Sequence, residues 1–195
     1  MWYDKLIEKD QLPDSVLRVG IRKLLKQRLE DETLGDEELQ QQKFMDLVDE
    51  LKASPIAINT ADANEQHYEL PTQFFQYCLG KNLKYSSGYW KPGVKDINTS
   101  EDDMLALTCK RADLQGGQNV LELGCGWGSL SLYMAAKFPT SSFTVVSNSA
   151  TQKLFIDETA KQRGIQNLTV LTADMNTFTI ADTFDRIVSV EMFEH

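Results

Sequence analysis

The sequence lacks a long apolar run and an excess of positive charge, and each absence argues against a class of function. No stretch of about 18 apolar residues is present, so we expect no membrane-spanning helix. The first residues also lack the apolar core of a secretory signal. A net charge of −9 argues against a nucleic-acid partner, because binding to a phosphate backbone requires a basic surface.

Cysteine is scarce and unpaired in the sequence. Cys78, Cys109 and Cys125 lie far apart and form no Cys-x-x-Cys motif, which indicates neither a disulfide framework nor a zinc site. We therefore expect a cytoplasmic protein without a bound metal. The composition is that of an ordinary folding chain, with 42% hydrophobic and 25% charged residues. A length of 195 residues predicts one main domain with an appendage.

Helical periodicity dominates residues 1–60, which we predict to be a helical amino-terminal segment. Apolar residues recur at three- and four-residue steps between Val16 and Leu29, and again over residues 36–51. A basic stripe opposite the first apolar stripe consists of Arg18, Arg22, Lys23 and Lys26. Such a stripe is more often a solvated helix face, but it also allows weak contact with an anionic membrane surface.

The pattern changes along the rest of the chain. Residues 61–117 form a lead-in, with a short helix predicted at 71–79 and a longer one at 99–114. From residue 118 onward, apolar runs at 119–123, 143–147, 168–172 and 184–190 alternate with helical stretches at 130–138 and 151–163. Strands separated by helices predict an α/β fold with a parallel, Rossmann-like sheet, for which we expect the strand order 3-2-1-4.

A glycine turn follows the first predicted strand, in the sequence Val-Leu-Glu-Leu-Gly-Cys-Gly-Trp-Gly at 120–128. Glycines there let the backbone approach a nucleotide-like ligand at the carboxyl edge of the sheet. Ser129 stands where the dinucleotide motif has its third glycine, and Ser147-Asn148 replaces the expected acid, so the turn argues against nicotinamide binding. Glu122 supplies a carboxylate that can meet the amino group of a methionine moiety.

Residues 122–128 resemble the first motif of class I S-adenosylmethionine-dependent methyltransferases, and Trp127 is typical of the cyclopropane fatty acid synthase family. The resemblance continues upstream through segments 66–71 and 85–90, which match the cofactor-covering segment of that family. It continues downstream through segments 148–153, 173–175 and 191–195, which are most similar to the coclaurine N-methyltransferase branch. S-adenosylmethionine is the cofactor that the resemblance implies. The family usually has seven strands, so four strands indicate that the carboxyl-terminal half is missing. We expect such a chain to leave its fourth strand as an unpaired edge, to aggregate and to turn over poorly.

The resemblance also implies a set of cofactor-binding residues. Tyr85 and Ser86 would contact the methionine end, above a turn formed by Glu122, Gly124 and Gly126. The ribose and adenine would be held by Ser147, Asn148, Gln152, Asp174 and the backbone of Met175. Each of the last group has a plainer alternative, because Ser147 and Asn148 can simply begin a helix and Asp174 can be a solvated loop residue.

Candidate catalytic residues close the sequence, at the end of the fourth predicted strand. Glu191 could attract a cationic amine, while Glu194 and His195 could remove or hold its proton. The resemblance implies the same catalytic set, although the matching Glu of cyclopropane synthases helps to hold a bicarbonate base. A surface Glu-His pair is the alternative. His67, the only other histidine, is either a residue of the cofactor-covering segment or a structural one.

The leading hypothesis is therefore an S-adenosylmethionine-dependent N-methyltransferase that acts on a small amine. A synthase that modifies lipid acyl chains is the first alternative, favoured by Trp127 and the basic stripe. A non-catalytic cofactor-binding module and a nicotinamide-dependent oxidoreductase are the others. The sequence indicates neither the methyl acceptor nor the oligomeric state.

Overall fold

A computed structural model describes residues 4–33, 35–56 and 71–192. The chain divides into two compact units, residues 1–54 and residues 55–195. The described part of the first unit is helical, whereas the second contains a parallel sheet with helices.

The first unit contains helices α1 (Asp4–Glu8), α2 (Asp14–Glu32) and α3 (Glu37–Ala53), so the predicted helical amino-terminal segment is confirmed. Asp36 caps α3 by accepting hydrogen bonds from the backbone N–H groups of Glu38 and Leu39, at 2.8 and 3.1 Å. None of the described residues of the three helices is buried. Most of their apolar side chains are exposed within this unit, among them Leu24, Leu29 and Phe44.

The basic stripe lies on α2 and is interleaved with acids of the same helix. Arg18 pairs with Asp14 at 3.9 Å, and Lys26 pairs with Glu30 at 3.7 Å. These are exposed pairs four residues apart, which contribute only a few tenths of a kcal/mol each. No described helix is long and apolar enough to cross a membrane.

The second unit begins with α4 (Thr72–Cys78) and α5 (Ile97–Arg111). Strands and helices then alternate in the order β1 (Asn119–Leu123), α6 (Ser129–Lys137), β2 (Ser142–Ser147), α7 (Ala150–Gln162) and β3 (Leu168–Thr172). The fourth strand, β4 (Arg186–Ser189), follows β3 without an intervening helix in the described residues 173–185. The strands form one parallel sheet in the order β3-β2-β1-β4, which confirms the predicted α/β fold and its strand order. Their carboxyl ends meet at the same edge.

In the second unit, two elements differ from their predicted bounds by two or more residues at an end. Helix α5 begins before residue 99 because the Asp96 side chain caps it, accepting from the backbone N–H of Thr99 at 2.9 Å. Strand β4 is shorter than residues 184–190 at both ends. At its start, the Asp185 carboxylate instead accepts from the backbone N–H of Asn119 at 2.8 Å. At its end, Glu191 has a φ of 51°, which is incompatible with extended backbone.

The core lies between the sheet and helices α5, α6 and α7. Its largest fully buried side chains include Leu105, Met134, Phe143 and Ile156, one from each of these helices and one from β2. The side-chain amide of Asn167 forms hydrogen bonds at the amino ends of the strands, opposite the edge with the glycine turn. Asn167 lies there and donates to the carbonyl oxygens of residues 135, 138 and 141, at 2.9 to 3.2 Å. These contacts tie the end of α6 and the loop before β2 to the residue before β3.

Candidate functional site

The glycine turn joins β1 to α6 at the carboxyl edge of the sheet. Gly124, Gly126 and Gly128 have φ values of 74°, 52° and 78°, in the left-handed region that favours glycine. Gly128 has a second reason to be glycine, since a Cβ there would lie 2.6 Å from Cγ1 of the buried Ile156. The early third glycine therefore allows α6 to begin close to α7.

A cavity of about 300 Å³ opens beside this turn. Its walls come from the loop before α5, from α5 itself, from the glycine turn and from the end of β4. Apolar wall residues include Leu105, Leu130 and Val190, together with Trp127, whose side chain is buried. The polar residues that line it are Lys84, Tyr85, Ser86, Thr108, Glu122, Ser129 and Glu191. The structure thus brings together Tyr85, Ser86, Glu122, Gly124, Gly126 and Glu191 of the predicted set.

Glu122 is the buried acid of this cavity. Only 3% of the residue is exposed, and its carboxyl group accepts a 2.5 Å hydrogen bond from the hydroxyl of Ser131 on α6. Burial raises the pKa of Glu122 to about 8, although the Ser131 hydrogen bond opposes this rise. A carboxyl group in this position can gain its charge when a cation arrives beside it.

Glu101 on α5 fixes the loop that carries Tyr85 and Ser86. This buried carboxylate accepts hydrogen bonds from the backbone N–H groups of Gly80, Asn82 and Lys84, at 2.8, 2.9 and 3.3 Å. Gly80 leaves room for it, because a Cβ there would lie 2.7 Å from the carboxyl carbon. The anchor was not predicted from the sequence, since its partners lie 17 to 21 residues away.

Lys84, which lines the cavity, is a second residue that was not predicted from the sequence. The residue is 5% exposed, and its ammonium donates a hydrogen bond to the Ser86 hydroxyl. Burial lowers the pKa of Lys84, while the charges of Glu191 and Glu101 act in the opposite direction. Its position next to Tyr85 in the sequence was the available signal.

Glu191 lies at the cavity directly after β4. Its Oε1 accepts a 3.2 Å hydrogen bond from the backbone N–H of Ser87, which connects the end of the sheet to the loop before α5. The φ of 51° is unusual for a residue with a side chain, and strained backbone of this kind is concentrated at functional sites. The next side chain, Met192, covers the turn, because a Cβ on Gly124 would lie 2.8 Å from its sulfur.

The residues expected to hold the ribose and adenine lie at the neighbouring strand ends and do not line the cavity described above. The Ser147 hydroxyl donates to Oε1 of Gln152 at 2.6 Å and accepts from the N–H of Ser149, which caps α7. The amide nitrogen of Gln152 is buried without a hydrogen-bond partner among the described residues. Asn148 lies between the end of β2 and that cap.

Asp174 and Met175 follow β3, the strand next to β2 in the sheet. Asp174 is exposed, and its Oδ1 accepts from the backbone N–H of Asn176 at 2.9 Å. Both the loop role and the cofactor role agree with this geometry, so binding by these residues stays a prediction. Glu194, His195 and His67 lie outside the described residues.

The chain is similar in sequence to a known protein family and to enzymes within it. A family model described as mycolic acid cyclopropane synthetase matches residues 57–195. The (S)-coclaurine N-methyltransferase of Thalictrum flavum subsp. glaucum is 39% identical over 98% of this chain and 53% of its own length. The cyclopropane-fatty-acyl-phospholipid synthase of Escherichia coli (strain K12) is 35% identical, over 67% of this chain and 32% of its own.

A solved structure shows the same relationship in three dimensions. A crystal structure of coclaurine N-methyltransferase bound to N-methylheliamine and SAH superposes with a TM-score of 0.92 and 36% identity. The superposition covers 97% of this chain and 55% of that one. The chain therefore spans about half the length of the N-methyltransferases that it matches.

Proposed function

This chain belongs to the mycolic acid cyclopropane synthetase family, and we propose that it binds S-adenosylmethionine for methyl transfer to a small amine. The main support for this cofactor is the cavity beside the glycine turn, with the buried Glu122 in its wall. The acceptor class is supported by the extent of the likeness. The N-methyltransferase relative matches 98% of the chain, whereas the lipid synthase matches 67%.

The described residues fit this cofactor. Gly124 and Gly126 present backbone without side chains at the cavity, as a close-lying nucleoside requires. The indole N–H of Trp127, another residue of the cavity wall, is buried and has no hydrogen-bond partner among the described residues. A buried donor without a partner is costly, and a ligand acceptor or a water molecule would remove that cost.

The cofactor would be held by residues of two groups. Tyr85, Ser86 and Glu122 would contact the methionine end, with Glu122 beside its ammonium. The nucleoside end would contact Ser147, Asn148, Gln152, Asp174 and Met175. When bound, the cofactor supplies an electrophilic methyl group on a sulfonium, and the enzyme mainly positions the acceptor in line with it.

The remaining steps fall to residues near β4. The Glu191 carboxylate would attract a protonated amine, and Glu194 or His195 would accept the proton that the amine must lose before it can act as a nucleophile. Leu105, Leu130 and Val190 provide an apolar wall that excludes water from the cavity.

Modification of a lipid acyl chain is the second candidate, favoured by the likeness to the Escherichia coli synthase. Exposed apolar residues on α2, among them Val19, Leu24 and Leu29, lie on the same helix as the basic stripe and would support weak contact with a membrane surface. We also propose a reducing, cytoplasmic location, which agrees with three free cysteines.

The test uses the full-length protein, extended past His195, with isotope-labelled S-adenosylmethionine. A panel of secondary and tertiary amines that includes (S)-coclaurine, or vesicles of unsaturated phospholipids, provides the methyl acceptor. We expect label in a methylated amine, identified by mass spectrometry, and less label with Glu191→Gln. Label in the lipid fraction alone would favour the synthase reading. A failure of calorimetry to detect S-adenosylhomocysteine binding would contradict the proposed cofactor.

A further inference from the structure

The charge pattern of the cavity wall identifies a residue with no role in the function proposed above. Lys84 is the only cation among the described lining residues, which also include the carboxyl groups of Glu122 and Glu191. The lysine is 5% exposed, although lysine is almost never buried unless its charge is paired. No described carboxylate lies within 4.0 Å of its ammonium, and its hydrogen-bond partner there is the neutral hydroxyl of Ser86.

Two features of the backbone hold Lys84 in this position, a hydrogen-bonded anchor and a left-handed residue before it. The carboxylate of Glu101 accepts a hydrogen bond from the Lys84 N–H itself and two more from earlier in the loop. The preceding residue, Leu83, has a φ of 49°, an unfavourable conformation for a side-chain-bearing residue that the surrounding contacts must maintain. The lysine is therefore built into the wall of the cavity, where an anion would compensate its buried charge.

We propose that the Lys84 ammonium, with the Ser86 hydroxyl beside it, binds the carboxylate of the methionine end of the cofactor. The inference rests on the proposed function, because it presumes a cofactor of this class. The methionine end carries one ammonium and one carboxylate, and the wall supplies a carboxyl group in Glu122 and a cation in Lys84. This division of charge leaves Glu191 free to attract the methyl acceptor.

The ligands that test it differ in the carboxylate alone. Calorimetry measures the dissociation constants of S-adenosylhomocysteine and of its decarboxylated analogue, S-adenosyl-3-thiopropylamine, for the wild type, Lys84→Met and Lys81→Met. Lys81 is the matched control, because it belongs to the same loop but is exposed and pairs with Asp102 at 2.6 Å. Melting temperatures without ligand report whether each variant folds.

We expect Lys84→Met to bind S-adenosylhomocysteine about tenfold to a hundredfold more weakly, the range of a charge-assisted hydrogen bond, and the analogue with unchanged affinity. Lys81→Met should change neither affinity. An equal loss for both ligands would overturn the proposal, since a merely structural lysine does not discriminate between them. Unchanged binding of both would also overturn it.

The wild type provides a test that needs no variant. It should prefer S-adenosylhomocysteine to the decarboxylated analogue, and equal affinity would overturn the Lys84 assignment while leaving the proposed function intact. Failure to bind either ligand would overturn both. If Lys84→Met does not fold, Lys84→Gln, which keeps a polar side chain, replaces it in the same comparison.

Discussion

The hydroxyl of Ser131 on α6 donates a 2.5 Å hydrogen bond to the carboxyl group of Glu122 on β1, and both residues are buried. The two lie on opposite sides of the glycine turn in the sequence. The Glu122 carboxyl group is therefore buried next to the turn with one hydroxyl as its hydrogen-bond donor. Burial raises the pKa of Glu122 to about 8. Its titration makes the stability of the protein depend on pH.

Glu122 should destabilise the folded chain as the pH rises. Its folded pKa of about 8 lies above the ordinary value of 4.5, so its contribution to stability is complete below 4.5 and is lost as the pH rises through 8. Glu122→Gln keeps an acceptor for Ser131 without the charge. The melting temperature of this variant, relative to wild type, should rise between pH 5 and 8 and then become constant. A difference that does not vary with pH would contradict the buried titration.

The anchor of the loop before α5 should depend on the charge of Glu101. In Glu101→Gln one acceptor oxygen becomes an amide donor that faces backbone N–H groups, which should cost about 2 kcal/mol or more in the free energy of unfolding. The matched control is Asp102→Asn on the same helix. It removes the charge of a partly exposed ion pair with Lys81, keeps an amide oxygen that can still accept from the Asn82 side chain, and should cost less than about 1 kcal/mol. Denaturant unfolding measures both, and equal losses would argue against the anchor.

Gly128→Ala should destabilise the fold more than a change of backbone conformation alone. Gly128 and Gly164 both have left-handed φ values, 78° and 69°, so alanine is strained by about 1–2 kcal/mol at either position. Only at Gly128 does the new methyl group also overlap a core residue, Ile156, which should add about 1–3 kcal/mol. Thermal unfolding compares the two variants. Similar melting temperatures would show that α6 and α7 can separate at little cost.

The cysteines should differ sharply in reactivity. Burial raises the pKa of Cys109 to about 11 and raises that of Cys125 as well, so both remain thiols at neutral pH. Cys78 is exposed at the end of α4. A maleimide added to the folded protein should therefore label one site, identified by peptide mass spectrometry. Rapid labelling of Cys125 would indicate that the glycine turn opens in solution.

The elements of the sheet could be predicted from the sequence because their signals are local. Strands β1 and β3 coincide with their apolar runs at 119–123 and 168–172, and the helices between the first three strands indicate parallel pairing. The bounds of β4 could not be predicted, because they depend on Asp185 pairing with a strand 66 residues earlier.

Some residues around the cavity could also be predicted from local sequence, and others could not. The glycine turn and Glu122 carry a recognisable local motif, whereas the roles of Ser131, Glu101 and Lys84 appear only when distant segments come together. The left-handed backbone of Leu83 and Glu191 had no glycine or asparagine to signal it. Long-range hydrogen bonds hold such positions in place, and periodicity does not report them.

The three hydrogen bonds from the loop to Glu101 should lower the entropic cost of binding a ligand in the cavity. A segment that is already ordered loses little freedom when a ligand arrives, so this wall of the cavity should act as a rigid receptor. Adaptation to ligands of different shape would then fall to Met192, an unbranched, readily repacked side chain that lies against Gly124 of the glycine turn.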